Sequence, residues 1–179
     1  MSTRKLSMTE LGRLSTEEFR AAGKFPITVI LDNIRSQNNT GSVFRTCDAF
    51  RAERLCLCGI TATPPHREIH KTALGAEESV EWKYYNSAAQ AILELKHSGY
   101  LIIALEQTTS SMPIQHYQIP EERKIALVFG NEVHGVDENV LNLADVCLEI
   151  PQFGTKHSIN VSVAVGITLW EILRKLKKI

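Results

Sequence analysis

Apolar residues in this chain cluster into short, nearly unbroken runs, and the stretches between them repeat with a helical period. The runs ITVIL (27–31), RLCLCGI (54–60), VEWKYY (80–85), YLIIAL (100–105), KIALVFG (124–130) and VCLEI (146–150) read as strands. Those that are continuous and rich in β-branched residues suit strands covered on both faces. Between them, Ser15 and Glu18 form a capping-box pattern that starts a short helix ending at Gly23. A second helix begins at Asn38 or Asn39, with Val43, Cys47 and Phe50 as its buried stripe. PPHREIHKTALG (64–75) predicts a short helix with proline in its first turn, Ser87 caps a helix that stops at Gly99, and Asp137 caps another. Strand then helix, repeated, predicts an α/β fold: a mainly parallel sheet flanked by helices on both faces. Residues 25–179 form the expected domain, and residues 1–24 a short helical extension.

The last segment, SINVSVAVGITLWEILRKLKKI (158–179), begins with an alternation that a strand also shows. Its length, and the cationic end of Arg174, Lys175, Lys177 and Lys178 that complements a helix dipole, decide for a helix. Two apolar stripes share it: Ile159, Val163, Trp170 and Leu173 on one side, and Val161, Val165, Leu169, Ile172 and Leu176 on the other. One stripe faces the sheet, and the other needs either a second subunit or a further layer of the same domain.

Composition narrows the picture modestly. With 179 residues, 44% of them hydrophobic, the chain suits one ordinary domain. Twenty basic residues balance twenty acidic ones, so net charge gives no sign of a polyanion partner, although a local basic cleft is compatible with neutrality. The start lacks the apolar core of a signal peptide and no long uncharged apolar run follows, so a cytoplasmic location with no membrane partner is expected. Cys47, Cys56, Cys58 and Cys147 fit neither a disulfide framework nor a zinc framework and read as buried thiols.

Ligands of open parallel sheets bind at the carboxyl ends of strands, which directs attention to three loops. DNIRSQNNTGSVFR (32–45) carries three Asn, a Gln and two Arg; GNEVHG (130–135) is bracketed by glycines; IPQFGTKHSINVS (150–162) is a connection crowded with donors and acceptors. Taken singly, each has a plain structural reading: Asn as a helix cap, Gly as a close-packing residue, Arg45 as a solvated side chain pointing away from the buried stripe. His66 and His70 stand four apart, but no third ligand accompanies them, so no metal is expected. No GxxxxGK[ST], no GxGxxG after the first strand and no GxSxG is present, which weakens NTPase, dinucleotide and hydrolase readings.

Taken together and in order, NNTGSVFRTCDAF, ALVFGNEVHGVDENVL and CLEIPQFGTKHSINVSVAVGI resemble the three motifs of the SpoU/TrmH family of SPOUT RNA 2'-O-ribose methyltransferases. KTALGA (71–76) is similar to a further family segment, and the likeness covers roughly residues 26–175. The resemblance implies a C-terminal trefoil knot, a homodimer packed partly through the final helix, and S-adenosylmethionine as cofactor. It implies chemistry at Asn39, Arg45, Glu132, Ser158 and Asn160, and cofactor contacts at Gly130, Ile150 and Ile159, with Leu105 and Gln152 as neighbours. Because a guanidinium stays protonated near neutral pH, Arg45 is expected to stabilise charge, held by Asn39 and Glu132, and not to act as a base. SIN stands where SLN is commoner in the family, and His134 and His157 occupy variable positions. With residues 1–24 ahead of the first strand, the separate N-terminal RNA-binding domain of many ribosomal RNA members is expected to be absent. The expected activity is therefore methyl transfer to a ribose 2'-hydroxyl of RNA, tRNA ahead of rRNA. The competing reading is a catalytically silent RNA-binding or assembly protein on the same scaffold.

Overall fold

A parallel sheet organises the chain. The computed structural model describes residues 3–7, 9–120 and 122–179, so Met1, Ser2 and Met8 of the expected N-terminal extension lie outside it, as does Glu121. Its strands are β1 (Phe25–Asp32), β2 (Ala52–Cys58), β3 (Trp82–Tyr85), β4 (Tyr100–Leu105), β5 (Met112–Pro113), β6 (Lys124–Phe129) and β7 (Val146–Glu149). They lie in the order β3-β2-β1-β6-β4-β7-β5, and each neighbouring pair is parallel. The helices are α1 (Thr16–Ala21), α2 (Gln37–Ala49), α3 (Arg67–Ala73), α4 (Ala76–Ser79), α5 (Ala88–His97), α6 (Glu138–Leu141) and α7 (Val161–Lys175).

Successive strand residues point to opposite faces, and this splits the core in two. Val29, Leu31, Leu127 and Phe129 pack with Phe19, Phe44, Ile69, Val165, Leu169 and Ile172 on one face. Ile30, Ala126 and Val128 pack with Ala91, Ile92 and Leu95 of α5 and Val140 of α6 on the other. Burial of both faces is the physical reason that the strands read as continuous apolar runs. Cys47, Cys56 and Cys58 are buried within these layers, and burial pushes their thiols up, that of Cys56 to about 12. The helix after β1 covers the first face and the helix after β6 the second. β1 and β6 are neighbours, so the loops after them open side by side at the carboxyl edge, where the rule for open sheets places a crevice.

Several local expectations are corrected. The cap of α2 is Ser36, whose Oγ accepts from Asn39 N at 3.2 Å; Asn38 and Asn39 lie inside the first turn, which frees their side chains. The prolines precede α3 and do not enter its first turn; His66 caps that helix through Nδ1, which accepts from Glu68 N at 3.3 Å. In α7, Leu173 is buried with Val161, Val165, Leu169 and Ile172, whereas Ile159 lies ahead of the helix. Val163, Ile167 and Trp170 are exposed, so they form the outer face. The two-residue β5 and the turn at Ile114–His116 had no apolar run to announce them.

Candidate functional site

Two asparagines fold the loops at the crevice. Asn33 ends β1 in a left-handed conformation, φ 56°, and its Oδ1 accepts from Ile60 N at 3.1 Å. Asn131 follows β6: its Nδ2 donates to Asn33 O at 2.6 Å, and its Oδ1 accepts from Val133 N at 2.9 Å and His134 N at 3.2 Å. The bend from Gly130 to Gly135 requires both glycines. A Cβ on Gly130 would stand 2.2 Å from the Gly135 carbonyl carbon; Gly135 has φ 69°, and a Cβ there would meet Glu106 Oε2 at 2.2 Å. That same Glu106 oxygen accepts from Val136 N at 2.8 Å while Oε1 accepts from Gln107 N at 2.9 Å, which ties the end of β4 to the glycine-bracketed loop.

Glu132, carried by this loop, reaches the start of α2. Its Oε2 accepts from Arg35 N at 2.9 Å, and its Oε1 from Ser36 N at 3.1 Å and Asn39 Nδ2 at 3.0 Å. Partial burial works against ionisation, but the donors of Arg35, its own backbone N–H, Asn39 and Ser36 outweigh it and hold the carboxyl below its ordinary value. A carboxylate at a helix N-terminus is further favoured by the helix dipole. Such a group is a weak base near neutral pH, which suits Glu132 to positioning.

Asn39 joins the third loop as well. Its Oδ1 accepts from Asn160 Nδ2 at 3.0 Å, while Asn160 Oδ1 caps α7 by accepting from Ser162 N at 2.9 Å and Ser162 Oγ at 2.6 Å. Glu132, Asn39 and Asn160, far apart in sequence, are thus one hydrogen-bonded chain across three loops.

Beside this chain opens a cleft of about 510 Å³ at the carboxyl ends of β4, β6 and β7. Leu105, Gly130, Ile150, Gln152 and Ile159 all line it, as do Glu132, His134, His157, Ser158 and Asn160. Asn39 stands behind the lining, bonded to two of its members. Arg45 does not line the cleft. It is exposed on α2, six residues beyond Asn39 and so about 9 Å along the helix axis. Asn39 and Glu132 were expected to hold Arg45; in the structure they bond each other, Asn39 also bonds Asn160, and Glu132 also accepts from Arg35 N and Ser36 N.

Glu106, Phe129, Asn131 and Glu149 also line the cleft and were missed. Glu106 opens the polar stretch EQTTSS directly after the apolar YLIIAL run, so the rule that pointed to the other three loops applies to it too. The cleft's chemistry fits a cofactor with both apolar and cationic parts. Leu105, Phe129, Ile150 and Ala164 offer apolar surface, Glu106 and Glu149 carboxylates, and the bent loops backbone groups. Among the described residues no cluster of His, Cys, Asp or Glu is arranged to hold a metal, and no helix is long and apolar enough to cross a membrane.

A parallel α/β sheet with a cleft walled by bent loops at its strand ends defines an α/β protein with a ligand-sized site at the carboxyl edge of the sheet. More narrowly, the chain belongs to the SpoU rRNA Methylase family, whose model matches residues 26–170. It is 31% identical to a tRNA (guanosine(18)-2'-O)-methyltransferase of Aquifex aeolicus, over 83% of this chain and 69% of that relative. It is 32% identical to the 23S rRNA (guanosine-2'-O-)-methyltransferase RlmB of Neisseria meningitidis, over 84% of this chain and 59% of that relative. The crystal structure of an AdoMet-bound rRNA methyltransferase from Sinorhizobium meliloti superposes with a TM-score of 0.77 at 27% identity, covering 87% of this chain and 59% of that one. The chain spans less than two thirds of the length of some of the relatives it matches, 59% of one and 9% of another.

Proposed function

We propose that this protein transfers a methyl group from S-adenosylmethionine to a ribose 2'-hydroxyl of RNA, acting as a cytoplasmic homodimer. The observation that carries the reading is the Glu132–Asn39–Asn160 chain: it joins the three family motifs by hydrogen bonds at the rim of a cleft of cofactor size. Bound in the cleft, S-adenosylmethionine supplies an electrophilic methyl group. The protein's part is to bind, orient and balance charge. Leu105, Gly130, Ile150, Gln152 and Ile159 hold the cofactor, largely through backbone and apolar contacts. Asn39 and Glu132 keep the loops in register, Asn160 fixes the start of α7, and Ser158 faces the reacting oxygen.

Arg45, exposed on α2 and outside the cleft, serves RNA phosphate. The C-terminal segment that brings Ser158 and Asn160 back to α2 is the part threaded as a trefoil knot. The exposed face of α7, with Val163, Ile167 and Trp170, is the subunit interface. We propose tRNA as the first substrate to test and rRNA as the second; relatives that modify the one or the other match at nearly equal identity.

The test has two parts. The purified protein is titrated with S-adenosylmethionine, and ribose methylations are mapped across total RNA with and without the gene. Measurable binding and loss of a discrete site are expected; absence of binding would leave a silent RNA-binding scaffold. Arg45→Ala is expected to keep cofactor affinity and to weaken RNA binding, with a salt dependence shallower by about one phosphate contact, so that transfer at subsaturating RNA falls. Wild-type RNA binding by that variant would remove Arg45 from the substrate contact.

A further inference from the structure

Phe153 is the most exposed large apolar side chain among the described residues, at 97% of its full surface. It sits in the loop between β7 and α7, one residue after Gln152 and four before His157, both of which line the cleft. An unburied phenyl ring forgoes about 1.5–3 kcal/mol of burial, and isolated exposed apolar residues need no special account. The surroundings of this one set it apart. Gly154 beside it meets no atom within 4 Å where a Cβ would be, so the loop tip stands free. Lys156 and His157 follow on the same loop, both exposed. Val133, 61% exposed, stands at the tip of another cleft loop, so apolar side chains mark two rims of the same opening.

We infer that Phe153 is the stacking platform for a nucleobase at or next to the methylated ribose. This rests on the proposed RNA methyl transfer and adds a recognition element on the substrate side. A ribose that delivers its 2'-hydroxyl into the cleft leaves its base at the rim. Unpaired RNA bases are gripped mainly by stacking on aromatic side chains and by nearby cations, without need for a strongly basic protein. That arrangement suits a chain whose net charge is zero, because every base has a π-face whatever the surrounding charge. Lys156 lies close enough in sequence to meet the adjoining phosphate.

The experiment uses the full chain, tritiated S-adenosylmethionine, and total RNA from cells lacking the gene as methyl acceptor. Phe153→Ala and Phe153→Leu are expected to raise the apparent KM for RNA about tenfold or more, with kcat at saturating RNA, cofactor affinity and molecular mass in solution unchanged. Phe153→Trp is expected to restore wild-type KM. Equal KM for the alanine variant and the wild type overturns the inference. So does full activity with leucine, which would mean a generic apolar contact, and so does a change of oligomeric state in the alanine variant, which would assign the ring to a subunit interface. Failure of the wild-type protein to label any RNA would instead defeat the methyltransferase reading itself.

Discussion

Glu132 and Asn39 divide their hydrogen bonds with little surplus. The carboxylate takes two backbone N–H groups at the head of α2 and the amide of Asn39, whose carbonyl oxygen is then available to Asn160. A folded-state value below the ordinary carboxylate value of 4.5 means that the bound, ionised form supports the native loops above that pH and that this support fades as pH falls through the lowered value. Glu132→Gln removes the titration. Cofactor affinity of the wild type is therefore expected to drop more steeply than that of the variant as pH falls below about 4.5; parallel curves from calorimetric titration would contradict this. The sequence exposes these residues as polar positions in loops, and the family resemblance names them. It does not say which of them touch. Helical period alone leaves Arg45 pointing away from the buried stripe, and nothing in that period distinguishes an arginine held by Asn39 from one standing apart on the surface.

Helix ends carry much of the site. Asn160 is at once the cap of α7, through Oδ1, and the donor to Asn39, through Nδ2. The two duties separate by substitution. Asn160→Asp keeps an acceptor for Ser162 N but loses the donor, whereas Asn160→Ala loses both. Thermal unfolding is expected to leave the aspartate variant close to wild type and to lower the alanine variant by about 1 kcal/mol, roughly 2–4 °C in Tm. Methyl transfer is expected to fall in both; an active aspartate variant would show that the Asn39 contact is dispensable. Apolar periodicity located the helices well because most bury one stripe against the sheet. It missed their starts where a competing cap stood within three residues, as with Ser36 ahead of Asn38 and Asn39, and His66 directly after the prolines.

At the scale of the whole molecule, the parallel sheet was legible because doubly covered strands must be apolar throughout, while their lateral order was not. Nothing local in β1 or β6 says that they are neighbours, and it is that neighbour relation which lets Glu132 reach the head of α2. The outer face of α7 is the counterpart at the surface. Trp170, 55% exposed, packs edge-on against Phe50 at 6.4 Å and borders a groove lined by Ile114, Ile150, Pro151 and Ile167. If the proposed homodimer packs through this face, Trp170→Glu is expected to leave the fold intact and to halve the mass seen by sedimentation at micromolar concentration. An unchanged mass would show that this face is not a subunit contact.

The hydrogen bond between Asn39 and Asn160 spans 121 positions of the chain. Contacts of such reach form only after most of the intervening segments have docked, because closing a long loop costs entropy before any local gain returns it. The site therefore has no partial version that a half-folded chain could display. Cofactor affinity is expected to appear late and all at once during refolding, so that occupancy of the cleft reports completion of the entire domain.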